Sequence, residues 1–145
     1  MDTALSIEIL RRDWNKALEI AEPLGLMLSR DVDAPLVVYA EYVFPNADKY
    51  VAVFLCKDYD EQPPALDFAN PDDLANRGRQ WWPQMTSAPI AIENGIVLCI
   101  PGTLGYHTHS SHKAEVHKKE IWYLPRVLSI VGKFFRMVPY LGRGL

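Results

Sequence analysis

The strongest strand signal of this chain lies in "LVVYAEYVFPNADKYVAVFLCK", residues 36–57. Its two ends, residues 36–44 and 50–57, are rich in β-branched and aromatic residues, which favour strands. Between them, residues 45–48 contain Pro, Asn and Asp, which are typical of turns. The sequence therefore predicts an antiparallel hairpin in this part of the chain.

One further strand is predicted on each side of this hairpin. A short and weak strand pattern, "LMLSR", precedes it at residues 26–30. After the hairpin, Pro63 and Pro64 cannot donate ladder hydrogen bonds, so they favour an extended connection. Residues 65–68 can then form a fourth short strand. The four segments together predict a four-stranded antiparallel meander.

A helix is predicted at each end of the chain, because apolar residues recur there at helical spacing. In the first helix they are Ile7, Leu10, Trp14, Ala17, Leu18 and Ala21, with Pro23 and Gly25 ending the pattern. In the last helix they are Val127, Leu128, Val131, Phe134, Phe135 and Val138. Pro125 suits its first turn, and Pro139 and Gly142 are expected to end it. Helix, meander and helix define an α+β fold.

The middle of the chain, residues 70–89, is polar and rich in turn-forming residues, and we expect an irregular loop there. It contains two adjacent tryptophans, Trp81 and Trp82. They can form a lid packed over the core or an anchor for a partner protein.

Composition limits the class of protein. With 145 residues, 49% hydrophobic and 23% charged, the chain is expected to form one globular domain over residues 1–145. A net charge of −3 argues against nucleic-acid binding. No apolar run reaches the ~20 residues of a membrane span, and no apolar signal core begins the sequence. Since Cys56 and Cys99 are the two cysteines, we expect a reduced, cytoplasmic protein.

The second cysteine lies in "NGIVLCIPGTLGYHTHSSHKAEVHKKEIW", residues 94–122, together with all 4 histidines of the chain. Cys99 can be a nucleophile, a metal ligand or a buried thiol. His107 and His109 flank Thr108, so on an extended backbone both point to the same side. His112 and His117 are assigned to solvent, and Cys56 is predicted to be a small buried hydrophobe.

A metal site would use the same residues. Cys99, His107 and His109 provide the nitrogen and sulfur ligands that zinc accepts, and Glu93 or Glu115 could add a fourth. However, the sequence has no C-x-x-C or H-E-x-x-H spacing, so we expect no bound metal. It also has no P-loop or dinucleotide fingerprint, and we expect no cofactor.

The order of these motifs resembles the ubiquitin-conjugating (E2-like) fold. That family has an N-terminal helix, a four-stranded antiparallel meander, an active-site loop region and a C-terminal helix. The matching residues, in order, are Tyr59 with Pro63-Pro64, residues 66–68, Asn94-Gly95 with Leu98-Cys99, and Trp122, Pro125, Leu128 and Ile130. The family's His-Pro-Asn before the cysteine is absent, and Ala88-Pro89-Ile90 lies in that neighbourhood. The histidine-rich segment is similar to divergent bacterial relatives encoded beside ubiquitin-like proteins, among them a family named for predicted metal binding through Cys, Glu and two His.

The resemblance implies a bacterial E2-type acyl transferase. Cys99 would receive the carboxyl terminus of a ubiquitin-like protein from an E1-like activating enzyme, as a thioester, and pass it to an amine of a target protein. The activating enzyme, not this chain, would consume ATP. His107 and His109 would lower the pKa of Cys99 or polarise the thioester carbonyl. Two alternatives remain: an E2-fold metal-binding protein that uses Cys99, His107 and His109, and a noncatalytic E2-like scaffold that binds partners through Trp81, Trp82 and the N-terminal helix.

Overall fold

The computed structural model describes residues 2–85, 90–92, 96–98, 103–104, 123–137 and 140–143. The fold begins with helix α1, Thr3–Ala21, as the apolar spacing predicts. Asp2 caps it, because its carboxylate accepts a hydrogen bond from the Ala4 amide at 3.0 Å. A 3-10 turn, Glu22–Leu24, and the left-handed Gly25 (φ 74°) end the helix.

Five strands then form one antiparallel sheet in which sequential strands are neighbours. They are β1 (Met27–Arg30), β2 (Val37–Val43), β3 (Lys49–Leu55), β4 (Ala65–Asn70) and β5 (Asp73–Arg77). The predicted hairpin is confirmed: β2 pairs with β3 from Val37 opposite Leu55 to Val43 opposite Lys49. The predicted strand after the double proline is confirmed as β4.

The prediction of four strands is wrong by one, because β5 lies in the region expected to be an irregular loop. Its sequence, "DLANR", contains no β-branched or aromatic residue, so its strand propensity is low. The Asn70 side chain accepts a hydrogen bond from the Asp72 amide at 2.9 Å and turns the chain back. Pairing with the edge of β4 and burial of Leu74 against the sheet then favour the strand.

The second helix, α2 (Leu124–Met137), packs with α1 on one face of the sheet. Its predicted apolar stripe is confirmed for the described residues. Those buried on it are Leu124, Val127, Leu128, Val131 and Phe135. Gly132 allows a close approach to the 3-10 turn, since a Cβ at this position would lie 2.9 Å from a Leu24 methyl carbon. The opposite face of the sheet carries a second, smaller cluster around Tyr39 and Val53.

Short strands connect the remaining described segments. β6 (Pro83–Met85) pairs with β9 (Tyr140–Arg143), and β7 (Ile90–Ile92) pairs with β8 (Ile96–Leu98). Residues 140–143, expected only to follow the end of the last helix, therefore form a strand. Its first residue, Tyr140, stacks on Phe44 with ring centres 4.1 Å apart. Within the described ranges, no helix combines the length and apolar character that a membrane crossing requires.

Candidate functional site

The predicted site residues Cys99, His107 and His109 lie outside the described residues, as do Glu93 and Glu115. Segments close to Cys99 in the chain are described. β8 ends at Leu98, directly before the cysteine, and Leu104 follows shortly after it. The contacts of the Leu104 segment, and of the connection that it touches, define the candidate site.

The double proline is the first element of this site. Pro63 and Pro64 are both buried between β3 and β4. The Leu104 amide donates a hydrogen bond to the Pro64 carbonyl oxygen, with a nitrogen–oxygen distance of 2.8 Å. The neighbouring Thr103 is 1% exposed. Because Pro64 precedes the first ladder residue of β4, its carbonyl is available to hold the chain segment that follows Cys99.

Tyr59 joins this connection to both helices. Its side chain is fully buried, and its hydroxyl donates to a carboxylate oxygen of Asp13 in α1 at 2.9 Å. The same hydroxyl accepts a hydrogen bond from the Leu124 amide, the first residue of α2, at 2.8 Å. Burial raises the pKa of Tyr59 well above its ordinary value, so the hydroxyl stays protonated and remains a donor. One side chain thus positions three elements beside the candidate site.

Asp13 is the charged member of this network. Its side chain is 9% exposed, and Arg12 donates to it from Nε at 2.9 Å. A second Arg12 nitrogen lies 3.9 Å from a carboxylate oxygen of Asp60. The hydrogen bond to Asp13 is the main reason why the pKa of Arg12 is raised. The negative charge of Asp13 is therefore balanced at the surface by Arg12 and hydrogen-bonded inside by Tyr59.

Asp13 was not identified from the sequence, although a signal for it exists. It lies three residues after Leu10 and four before Ala17, so it belongs to the same helical face as those buried residues. Conversely, Leu18 was predicted on the buried face and is 41% exposed. An acidic residue on an apolar helical stripe indicates a buried partner, which here is Tyr59.

Cys56 lies close to this connection and is confirmed as a buried packing residue. It is 1% exposed, and its thiol points toward the Phe54 carbonyl oxygen at a sulfur–oxygen distance of 3.8 Å. Burial raises the pKa of Cys56 to about 12, because the thiolate is not solvated there. Cys56 therefore lacks the thiolate that nucleophilic chemistry needs at neutral pH.

We expect the two cysteines to differ sharply in alkylation. A rise of the Cys56 pKa from 9 to about 12 lowers its thiolate fraction by about 10³, and burial also restricts the access of the reagent to the sulfur. Native protein treated with iodoacetamide at pH 8 should carry the label on Cys99 long before Cys56, as measured by peptide mass spectrometry. In urea both should react. Equal protection of both thiols in the native protein would contradict an accessible nucleophile at position 99.

The two tryptophans pack on the core rather than project from it. Trp82 is 3% exposed, and the centre of its ring lies 4.9 Å from that of Phe68. Its indole nitrogen donates a hydrogen bond to the Asp67 carboxylate at 3.1 Å. Trp81 is half-buried and donates to Asn76 at 3.2 Å. Trp82 therefore packs over the core, as the lid interpretation predicts.

Among the described residues, no three His, Cys, Asp or Glu side chains come together in a group that could hold a metal ion. Comparisons of the chain with protein-family models, with curated proteins and with solved structures give no match.

Proposed function

We propose that this chain is an E2-like conjugating enzyme that carries a ubiquitin-like protein as a thioester on Cys99. The observation that supports this most is the Leu104–Pro64 hydrogen bond, which holds the segment after Cys99 against the buried double-proline connection. The order of helix, antiparallel meander, double proline, last strand, cysteine segment and helix is the order of the motifs on which the E2-like resemblance rests. Tyr59, another residue of that resemblance, joins the connection to both helices.

The proposed chemistry consists of two acyl transfers. The Cys99 thiolate attacks the thioester that links the ubiquitin-like protein to the activating enzyme. A new sulfur–carbon bond forms on Cys99, and the activating enzyme's thiolate leaves. An amine of the target protein then attacks this thioester, an amide bond forms, and the Cys99 thiolate is released while the amine gives up its proton. Cysteine suits both steps, because its thiolate is a good nucleophile and a good leaving group.

His107 and His109 are proposed to assist these transfers. A neutral imidazole can accept the proton of the incoming amine, since its ordinary pKa lies near neutrality. An imidazole N–H can also donate a hydrogen bond to the oxygen of the tetrahedral intermediate, the role of an oxyanion-hole donor. The family's His-Pro-Asn motif is absent from this sequence, which leaves such a role open for the histidine segment.

The test is a charging assay with an E1-like enzyme, ATP and a ubiquitin-like protein from the same genome. The chain should form an adduct that survives denaturation but is cleaved by excess thiol, because a thioester is thiol-labile and an amide is not. His107→Ala and His109→Ala should still charge, but should discharge to an added amine more slowly. Near-stoichiometric zinc in the purified protein, measured by mass spectrometry and lost in Cys99→Ser, would instead favour the alternative of a metal site at Cys99, His107 and His109.

A further inference from the structure

A pocket of about 430 Å³ lies at the end of the sheet opposite Tyr59. Its volume falls in the range of small-molecule sites. Four aromatic residues line it: Tyr42, Phe44, Phe135 and Tyr140. They come from β2, the β2–β3 turn, α2 and β9. The length of β3, about 20 Å for seven residues, separates this end of the sheet from the double-proline connection.

The aromatic walls hold one another in place. Tyr42 stacks on Phe135 with ring centres 5.2 Å apart, and Phe44 stacks on Tyr140 at 4.1 Å. The Tyr140 hydroxyl donates to the Asp48 carboxylate at 2.6 Å, which fixes its ring. The pocket is thus largely preformed. An apolar or aromatic group can be buried in it without the entropic cost of ordering the pocket side chains.

Charge at the rim comes from Arg136, in the last turn of α2. Its guanidinium donates to the Pro23 carbonyl oxygen at 3.1 Å, and within the described ranges it forms no ion pair. The Asp48 carboxylate is already hydrogen-bonded by Tyr140 and by the Asn46 amide at 3.1 Å. The rim therefore presents a cation whose remaining donors match a carboxylate.

We propose that this pocket binds a carboxylate attached to an aromatic or branched apolar group. The apolar group would lie against Tyr42 and Tyr140, which are partly exposed in the pocket, and the carboxylate would pair with Arg136 at the rim. The carboxyl end of α2 contributes about half an elementary negative charge here, which the full positive charge of Arg136 exceeds, so the rim favours an anion. This proposal is independent of the function proposed for Cys99.

The probes are three molecules that differ in charge: 3-phenylpropionate, 3-phenylpropanol and 3-phenylpropylamine. The reporter is the ¹³C-labelled methyl group of Met137, which lines the pocket and is 78% exposed. Met27 is a matched internal control, because it is 68% exposed but pairs with Glu41 on the other face of the sheet from Tyr42. We expect saturable shifts of Met137 and no shift of Met27, with 3-phenylpropionate binding about 3- to 10-fold more tightly than either other probe.

Arg136→Gln should remove this preference, and Lys133→Gln, an exposed change on the same helix outside the pocket, should keep it. The carboxylate could belong to the C-terminus of a protein or to a free small acid. A peptide ending in Phe, compared with the same peptide as its C-terminal amide, distinguishes these two sources. If the peptide binds more tightly than 3-phenylpropionate and amidation removes that gain in affinity, the ligand is a protein terminus; if the peptide binds no more tightly, it is a free acid. Equal binding of all three probes, tighter binding of the amine, or no Met137 shift at millimolar probe would overturn the proposal.

Discussion

Cys99→Ala is expected to abolish the thiol-labile adduct completely. The proposed acyl carrier is the sulfur atom of Cys99, and alanine has no atom that can form the thioester. The effect is therefore all or none rather than a change in rate. The measurement is a non-reducing gel of the charging reaction, in which the wild-type chain should shift by the mass of the ubiquitin-like protein and return on addition of thiol.

The matched control for this experiment is Cys56→Ala, since Cys56 is the other thiol of the chain and is buried with a pKa of about 12. This variant should charge like the wild type. Its stability should fall by about 1–2 kcal/mol, because a buried sulfur is removed from the core. Cys99→Lys should give an adduct that resists thiol, if its amine reaches the acyl group. Normal charging of Cys99→Ala would exclude Cys99 as the acceptor and leave the scaffold or metal-binding alternatives.

Tyr59→Phe is expected to destabilise the fold by about 1–3 kcal/mol, although it removes a single oxygen atom. That oxygen donates to Asp13 and accepts from Leu124, and all three groups are buried. Phenylalanine leaves the Asp13 carboxylate and the Leu124 amide without this partner, so the penalty of burying them is no longer offset. Tyr59→Ala should cost about 3–5 kcal/mol, since it also leaves a cavity. The free energy of unfolding in urea measures both.

Tyr39→Phe is the matched control for Tyr59→Phe. Its hydroxyl also donates to a carboxylate, that of Asp31, at 3.0 Å. Asp31 is partly exposed, so water can replace the lost hydrogen bond, and we expect a loss below about 1 kcal/mol. If Tyr59→Phe unfolds at the same urea concentration as the wild type, the hydroxyl does not stabilise the junction between the helices and the double-proline connection.

Within the candidate site, sequence reasoning identified the double proline and Tyr59 through their family resemblance, but it did not show what they touch. Their contacts join residues far apart in the chain, such as Leu104 to Pro64 and Tyr59 to Leu124. Periodicity reports only which face of an element is apolar, so it cannot supply such pairs. The nucleophile and histidines remain predictions from the sequence.

Local patterns in the sequence are enough to predict the elements in which pattern and burial agree. The hairpin of β2 and β3 has strong strand propensity and turn residues between its strands, and α2 has a continuous apolar stripe. Cys56 followed from the same reasoning, because a cysteine in an apolar strand is most often buried.

Elsewhere, local preference is weak or opposes burial, and contacts between distant segments set the structure. β5 has little strand propensity and forms because the edge of β4 offers it hydrogen bonds. β9 forms because residues 140–143 meet β6, which is far from them in the chain. Asp13 is buried although aspartate is usually exposed, because hydrogen bonds from the Tyr59 hydroxyl and Arg12 replace those that water would make to its carboxylate. In each case a stabilising partner comes from another segment of the chain, and local sequence does not show which one.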